Sequence, residues 1–133
     1  MTKSSNLIDS LEVYVLNNPK EVKPHWVSHF IVPTANELLI KIKNKDGNSG
    51  FGLATSYSDI SPIIKPFSNG LENFIIGQDP FCPEKIYESI SKLTDTRVSS
   101  EKGWSKESLI RISAALDIAC WDLMGKSLNI PLY

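Results

Sequence analysis

The segment that decides the fold runs from Ser105 to Asn129 and reads SKESLIRISAALDIACWDLMGKSLN. Apolar residues recur in it at spacings of three and four, the period of one helix face. They are Leu109, Ile112, Leu116, Cys120 and Leu123. Ser105 is a preferred N-cap residue, and Trp104 and Leu109 occupy the two positions of a hydrophobic staple. Asn129 suits a left-handed C-cap, so the sequence predicts one long helix with an apolar stripe along it.

The other notable side chains of this segment favour structural roles. Asp117 and Asp122 are five positions apart, about 140° around a helix, so they do not form a pair of metal ligands on one face. We expect Asp117 to accept hydrogen bonds in apolar surroundings, and Asp122 to pair with Lys126 one turn later. Gly125 in mid-helix predicts the close approach of another backbone. Trp121 is expected to lie buried between helix and sheet.

Strands are predicted before this helix. Leu7 to Leu16, Glu37 to Lys43 and Gly50 to Tyr57 are rich in β-forming residues and bounded by turn residues. The Asp46-Gly47 turn reverses the chain between the second and third strands. The predicted fold class is α+β: a three-stranded antiparallel β-meander in residues 7–57 and a small helical bundle in residues 58–129. Residues 1–133 are predicted to form a single domain.

Shorter helices are predicted between the strands and the long helix. Ser58 or Asp59 is a cap for a first helix, which Pro66 and Gly70 are expected to kink or split. A second helix is predicted from Pro83 to about residue 94, with an apolar face at Ile86, Ile90 and Leu93. Residues 97–104 are predicted to be a solvated connector.

Composition excludes several classes of protein. The chain has 133 residues, 14 Lys+Arg against 15 Asp+Glu, and a net charge of -1, which excludes a strongly basic nucleic-acid binder. It has neither an apolar run of about 18 residues nor a secretory leader pattern, so we expect no membrane span and a cytoplasmic location. Cys82 and Cys120 belong to no CxxC pair, and both are expected to be small buried hydrophobic residues without zinc or a disulfide.

A family resemblance rests on the run from Ser113 to Lys126 followed by Pro131-Leu132-Tyr133. This pattern resembles the N-terminal domain of mandelate racemase and muconate lactonizing enzyme, in the enolase superfamily. Further matches are the strand Glu37 to Lys43, the turn Asp46-Gly47 with Gly50, the step Gly77-Gln78-Asp79-Pro80 and the lead Leu109-Ile110-Arg111. The resemblance implies a capping domain that precedes a (β/α)7β barrel. The given residues stop before that barrel, and their last three read as the start of an apolar strand, so we expect a continuation.

The resemblance also implies a chemistry for the parent enzyme. Members remove a proton α to a carboxylate while a divalent metal, usually magnesium, stabilises the enediolate that develops. The barrel supplies the metal site and the bases, so neither catalytic nor metal-binding residues nor a cofactor are expected within this chain. The favoured activity is dehydration of acid sugars, with a racemase or cycloisomerase as one alternative and a non-catalytic interaction domain as another. The implied partners are a small carboxylate substrate, the protein's own barrel domain and a possible second copy.

Candidate substrate-binding residues lie in two segments. Two histidines and a tryptophan occur in the long connection between the first two strands, where Pro24 and its neighbours disfavour a helical pair of metal ligands. In the family, this connection, here residues 20–32, is a lid over the barrel mouth, and residues 53–57 are its counterpart. The candidates that the resemblance indicates are His25, Trp26, His29, Leu53, Thr55 and Tyr57, and ordinary loop packing is the alternative for each.

Overall fold

A computed structural model of the chain describes residues 6–16, 25–32 and 36–133. The strands are β1 (Ile8–Leu16), β2 (His25–Val27), β3 (Phe30–Val32), β4 (Asn36–Asn44) and β5 (Ser49–Ser56). The α-helices are α1 (Ser61–Ser68), α2 (Pro83–Leu93), α3 (Arg97–Lys102) and α4 (Lys106–Leu128), with a 3-10 turn at Leu71–Phe74. Strands precede helices, which confirms the predicted α+β class.

The main sheet has the order β1-β4-β5, and both strand pairs are antiparallel. Gly47, with a φ of 90°, sits in the turn that joins β4 to β5, as the Asp46-Gly47 signal predicts. The connection between β1 and β4 contains an additional hairpin of β2 and β3, which the sequence did not predict. Each of its strands has three residues, which is too short to show an alternating pattern.

Helix α4 packs on one face of this sheet with Ala115 and Ala119 against β5, and the five members of the predicted stripe beside them are all buried. Gly50 and Gly52 in β5 make the contact close. A Cβ atom built on Gly50 would lie 1.9 Å from the carbonyl oxygen of Ala119, and one on Gly52 would lie 1.9 Å from that of Ala115. Strand and helix therefore meet backbone to backbone, and the core forms between α4 and the buried residues Leu38, Ile40 and Ile42 of β4.

The ends of α4 agree with the sequence analysis. The Ser105 side chain accepts a hydrogen bond from the Ser108 amide, and Asn129 adopts the left-handed conformation at φ 53° and ψ 43°. Lys126 Nζ lies 2.5 Å from Asp122 Oδ2, which confirms the predicted pair. A Cβ on Gly125 would lie 2.9 Å from the Ile130 carbonyl oxygen, so this glycine does accept a close backbone.

Two expectations for α4 were wrong. Trp121 is 49% exposed, and Asp117 is exposed with no hydrogen bond to its side chain in the described residues. Both side chains lie on the helix face opposite the sheet, about 160° from Ala119, which packs on β5. The neighbouring residues in the sequence are apolar on every side of the helix, and this pattern alone does not show which side is covered.

Three further expectations need correction. Residues 97–104 are not merely a connector, because α3 forms there with an Arg97–Glu101 ion pair of 2.6 Å. The predicted break is found at Gly70, whose φ of 91° separates α1 from the 3-10 turn, whereas α1 continues through Pro66 without splitting there. Cys82 is only half-buried, whereas Cys120 is buried as expected. Among the described residues, no helix combines the length and apolar character needed to cross a membrane.

Candidate functional site

The two predicted site segments attach to the same end of the main sheet. The chain leaves β1 at Leu16, enters β4 at Asn36 and leaves β5 at Ser56. In the strand registers, Leu16 is paired with Glu37, which is paired with Thr55, so these positions are neighbours in space. We call this the loop end of the sheet. The 17–35 connection and the segment that ends at Tyr57 both attach to it.

The β5 candidates project away from the helices. Residues alternate along a strand, and the buried Ala54 and Ser56 face α4, so Leu53 and Thr55 lie on the outer face of the sheet. Leu53 stands in a row with Leu39 and Tyr14 of the neighbouring strands. Tyr57 follows β5 directly and is 44% exposed. These three candidates therefore share an accessible surface at or near the loop end.

The remaining candidates lie on the β2–β3 hairpin. His25 begins β2, Trp26 is opposite Ile31 and 76% exposed, and the exposed His29 lies in the turn. Val32, at the end of β3, is only 1% exposed, so the hairpin is anchored on that side. The rest of the predicted lid, residues 20–24, lies outside the described residues. The hairpin candidates belong to the connection that leaves the loop end at Leu16 and returns to it at Asn36.

Hydrogen bonds hold the main chain around Tyr57. Arg111 Nη1 donates to the Thr55 carbonyl oxygen at 2.5 Å, and Asn36 Nδ2 donates to the Ser58 carbonyl oxygen at 2.7 Å. The Ser56 hydroxyl accepts from the Ser58 amide at 3.3 Å and donates to the Asp59 carbonyl oxygen at 3.1 Å. Tyr57 is thus flanked by fixed carbonyl groups on both sides.

Sequence reasoning missed Arg111 and Asn36 as parts of this site. In the sequence, Arg111 stands out only as part of the Leu109-Ile110-Arg111 lead into the last helix. Its position beside the buried stripe, two residues after Leu109, is the one signal that it borders the sheet. Nothing in the local sequence indicates that Asn36 belongs to the site, because its hydrogen-bond partner Ser58 is 22 residues away along the chain.

The outer face of the sheet carries an ionised cluster. Lys41 Nζ lies 3.1 Å from Glu12 Oε1, and the Tyr14 hydroxyl donates to the same carboxylate. The hydrogen bond from Tyr14, aided by Lys41, lowers the pKa of Glu12, and the same hydrogen bond raises the pKa of Tyr14. The cluster keeps its charges at neutral pH. It gives the face beside Leu53 a polar edge without forming a nucleophile–base pair.

The described residues do not fit a magnesium site. Magnesium prefers several oxygen ligands in an octahedral arrangement, and nowhere in residues 6–16, 25–32 and 36–133 do three or more His, Cys, Asp or Glu side chains come together to hold a metal. Asp117 and Asp122 point in different directions, as their spacing predicts. Asp122 is already engaged by Lys126 and by the Phe51 amide, whose nitrogen lies 2.9 Å from Asp122 Oδ2.

Residues 10–133 match the family model described as mandelate racemase / muconate lactonizing enzyme, N-terminal domain. The chain belongs to this family. The match begins two residues inside β1 and covers every later element, including both halves of the loop end. The resemblance inferred from α4 is thereby confirmed, and the fold is that of an enolase-superfamily N-terminal domain.

Named relatives have different activities. The chain is 26% identical over 131 residues to an N-succinyl-L-Arg/Lys racemase from Bacillus cereus, covering 95% of this chain and 32% of the relative. It is 29% identical over 126 residues to a D-gluconate/D-galactonate dehydratase from Picrophilus torridus, covering 95% of this chain and 29% of the relative. The chain therefore spans about a third of the length of these curated relatives.

A solved structure supports the same fold. The racemase from Streptomyces coelicolor A3(2) with bound magnesium superposes with a TM-score of 0.71 at 22% identity, over 92% of this chain and 33% of that chain. At this identity the likeness concerns the fold. Magnesium is therefore found in a protein of the same fold, whereas the described residues of this chain do not fit it.

Proposed function

We propose that this chain is the N-terminal capping and substrate-specificity domain of an enzyme that removes the proton α to a carboxylate. The observation that carries the proposal is the loop end, where the predicted lid connection and the Thr55–Tyr57 segment attach side by side. Functional residues are commonly presented by loops at one end of a rigid scaffold. The catalytic groups and the magnesium belong to the barrel domain in this proposal, and this chain shapes the substrate pocket.

An acid sugar is the proposed substrate, and the reaction is its dehydration. Thr55 and Tyr57 supply hydroxyl groups at the loop end, and the exposed His29 supplies a ring nitrogen from the hairpin. A site built to hydrogen-bond hydroxyl groups discriminates strongly against substrates that lack them. The similarity to a D-gluconate/D-galactonate dehydratase supports this substrate class. The comparable similarity to an N-succinyl-L-Arg/Lys racemase supports racemisation as the second candidate.

The outer face of α4 supports a neighbouring domain. Ile110, Ile118, Trp121 and Leu128 recur along this face at helical spacing, and all four are about half exposed. A helix that is apolar on opposite faces is normally buried on both. Leu132 packs over Gly125 on this same face, with Leu132 Cγ 3.3 Å from the position of a Gly125 Cβ. We propose that this face packs against the protein's own barrel domain.

The first test is to read the coding sequence downstream of codon 133. The proposal expects an open frame that encodes a barrel with carboxylates at successive strand ends. The protein from that frame is then assayed with magnesium in D2O for α-proton exchange, using D-gluconate, D-galactonate and N-succinyl-L-lysine. Exchange and dehydration of the two sugar acids support the main proposal, and exchange of the succinylated amino acid alone supports the racemase.

Site residues are tested in the same protein. Tyr57→Phe and Thr55→Val are expected to lower kcat/KM for the sugar acids about tenfold or more, because each removes a hydrogen bond to the substrate. Tyr87→Phe is the matched control, since Tyr87 is also exposed but lies on α2. Equal effects of all three substitutions would reject the loop end as the site. A stop codon directly after codon 133, together with no exchange of any substrate, would favour the alternative that the chain is a non-catalytic interaction domain.

A further inference from the structure

We infer that Arg111 is a positioning residue that fixes the main chain of the specificity segment, Thr55 to Tyr57, from helix α4. The inference rests on the proposed function for the meaning of that segment, and it adds a residue from a different element. Arg111 is about a third exposed and reaches β5 from α4, whereas the Thr55 side chain projects from the opposite face of the sheet, so we assign Arg111 a role through the Thr55 main chain.

The guanidinium group connects two elements. Its Nη1 donates to the Thr55 carbonyl oxygen at 2.5 Å, across 56 residues of sequence. Its Nε and Nη2 donate to Glu107 Oε1 at 3.2 Å and 2.8 Å. Glu107 lies one turn earlier on α4, so the arginine is held by its own helix while it binds the strand. A charged donor with fixed geometry makes a stronger bond to a carbonyl than a neutral donor makes.

The position of Thr55 in β5 explains why such a bond is needed. Strand β5 is at the edge of the sheet, because β4 covers only one side of it. Phe51 and Thr55 direct their free main-chain groups toward α4, where Asp122 accepts from Phe51 and Arg111 donates to Thr55. Two charged side chains, three helical turns apart, thus hold the two ends of the same edge.

Beyond Thr55 the chain is held by further bonds. The contacts of Ser58 with Asn36 and Ser56 fix the next carbonyl and amide. A pocket of about 210 Å³ lies behind this turn, and Arg111, Glu107, Ser56 and Ser58 are among its lining residues. The main chain on both sides of Tyr57 therefore borders a cavity and is held there by hydrogen bonds. Loss of the Arg111 bond is expected to loosen this segment before it affects the core.

The test uses the 133-residue chain and requires no activity. Amide hydrogen exchange is measured in residues 55–58, where the reporting amides are those of Ser56, paired with Asn36 of β4, and Ser58, bonded to the Ser56 hydroxyl. Exchange at Leu116 in the core is the reference for global opening. Arg111→Met keeps an unbranched aliphatic stem but removes the hydrogen-bond donors of the guanidinium group. It is expected to speed exchange at residues 55–58 about tenfold or more, with unchanged exchange at Leu116. Arg111→Lys, which keeps one charged donor, is expected to restore part of the protection. Arg97→Met is the matched control, because Arg97 makes the same kind of ion pair one turn along its helix, with Glu101, but lies on α3 and makes no hydrogen bond to β5 among the described residues.

The outcomes separate this inference from the proposed function. Exchange that rises equally at residues 55–58 and at Leu116 would make Arg111 a general stabiliser of the edge strand and overturn the inference. Unchanged exchange at residues 55–58 would also overturn it. If the local effect is found while Tyr57→Phe leaves sugar-acid turnover unaltered, the positioning role stands and the proposed substrate site fails.

Discussion

The two faces of α4 both carry large apolar side chains but have different surroundings. The inner face, with Leu116 and Cys120, is fully buried in the core, whereas the outer face, with Ile118 and Trp121, is about half exposed. Both faces are apolar, so hydrophobicity does not distinguish them. The difference lies in the elements that cover each face: Gly50 and Gly52 let the backbone of α4 approach β5, and α2 also packs on α4. The neighbouring elements thus decide which apolar face of α4 is buried.

The largest expected effect tests this difference directly. Leu116→Ala should lower the free energy of unfolding by about 2–5 kcal/mol, because it leaves a cavity in a closed core. Trp121→Ala removes a larger side chain but should cost less than about 1 kcal/mol in this chain, because the indole is half exposed. Urea unfolding of both variants measures the two values. Equal losses would mean that the outer face is also buried in solution.

A second prediction concerns the glycines of the two faces. Gly52→Ala should destabilise by about 1–3 kcal/mol, because its Cβ would lie 1.9 Å from the Ala115 carbonyl oxygen and strand and helix would have to separate. Gly125→Ala is the outer-face control. Its Cβ would meet the Ile130 carbonyl oxygen at 2.9 Å, so a much smaller displacement relieves this contact than the 1.9 Å contact at Gly52. We expect a change of less than about 1 kcal/mol there, since alanine also favours the helix. Thermal unfolding distinguishes the two, and a larger loss at Gly125 would contradict the assigned packing.

Sequence reasoning predicts the local features of this molecule and misses the contacts between residues that are distant along the chain. The inner stripe, the Ser105 cap and the Asp46-Gly47 turn depend on neighbouring residues, and the sequence predicted all of them. The exposure of Trp121 depends on what packs over it, which local periodicity does not report. The bond from Arg111 to Thr55 joins residues 56 positions apart, and only the strand register brings them together. The site candidates follow from family resemblance, and the structure adds that Thr55 and Tyr57 lie at one end of the sheet.

The two aspartates of α4 give a third, smaller test. Asp122→Ala removes the acceptor of the Phe51 amide and the partner of Lys126, and it should cost about 1 kcal/mol, since the carboxylate is partly exposed to solvent. Asp117→Ala, on the outer face, should change stability by less than about 0.5 kcal/mol. Chemical denaturation in low salt gives both numbers. An Asp117 effect as large as that of Asp122 would show a contact on the outer face that the described residues do not contain.

The last and smallest effect is a pH dependence of the inner face. Burial raises the pKa of Cys120 from 9.0 to about 12, so the folded protein keeps the thiol protonated where the unfolded chain releases the proton. A raised folded pKa contributes stability that is complete below 9 and is lost as the pH rises toward 12. At pH about 10 the loss should be about 1 kcal/mol. Because other groups titrate there too, the measurement is the slope of unfolding free energy against pH, compared between the wild type and Cys120→Ala, with Cys82→Ala as the control.

The same difference in burial predicts a difference in thiol reactivity. The thiol of the half-buried Cys82 should react faster with a maleimide than that of Cys120. Equal reactivity in the folded protein would show that the core around α4 opens readily.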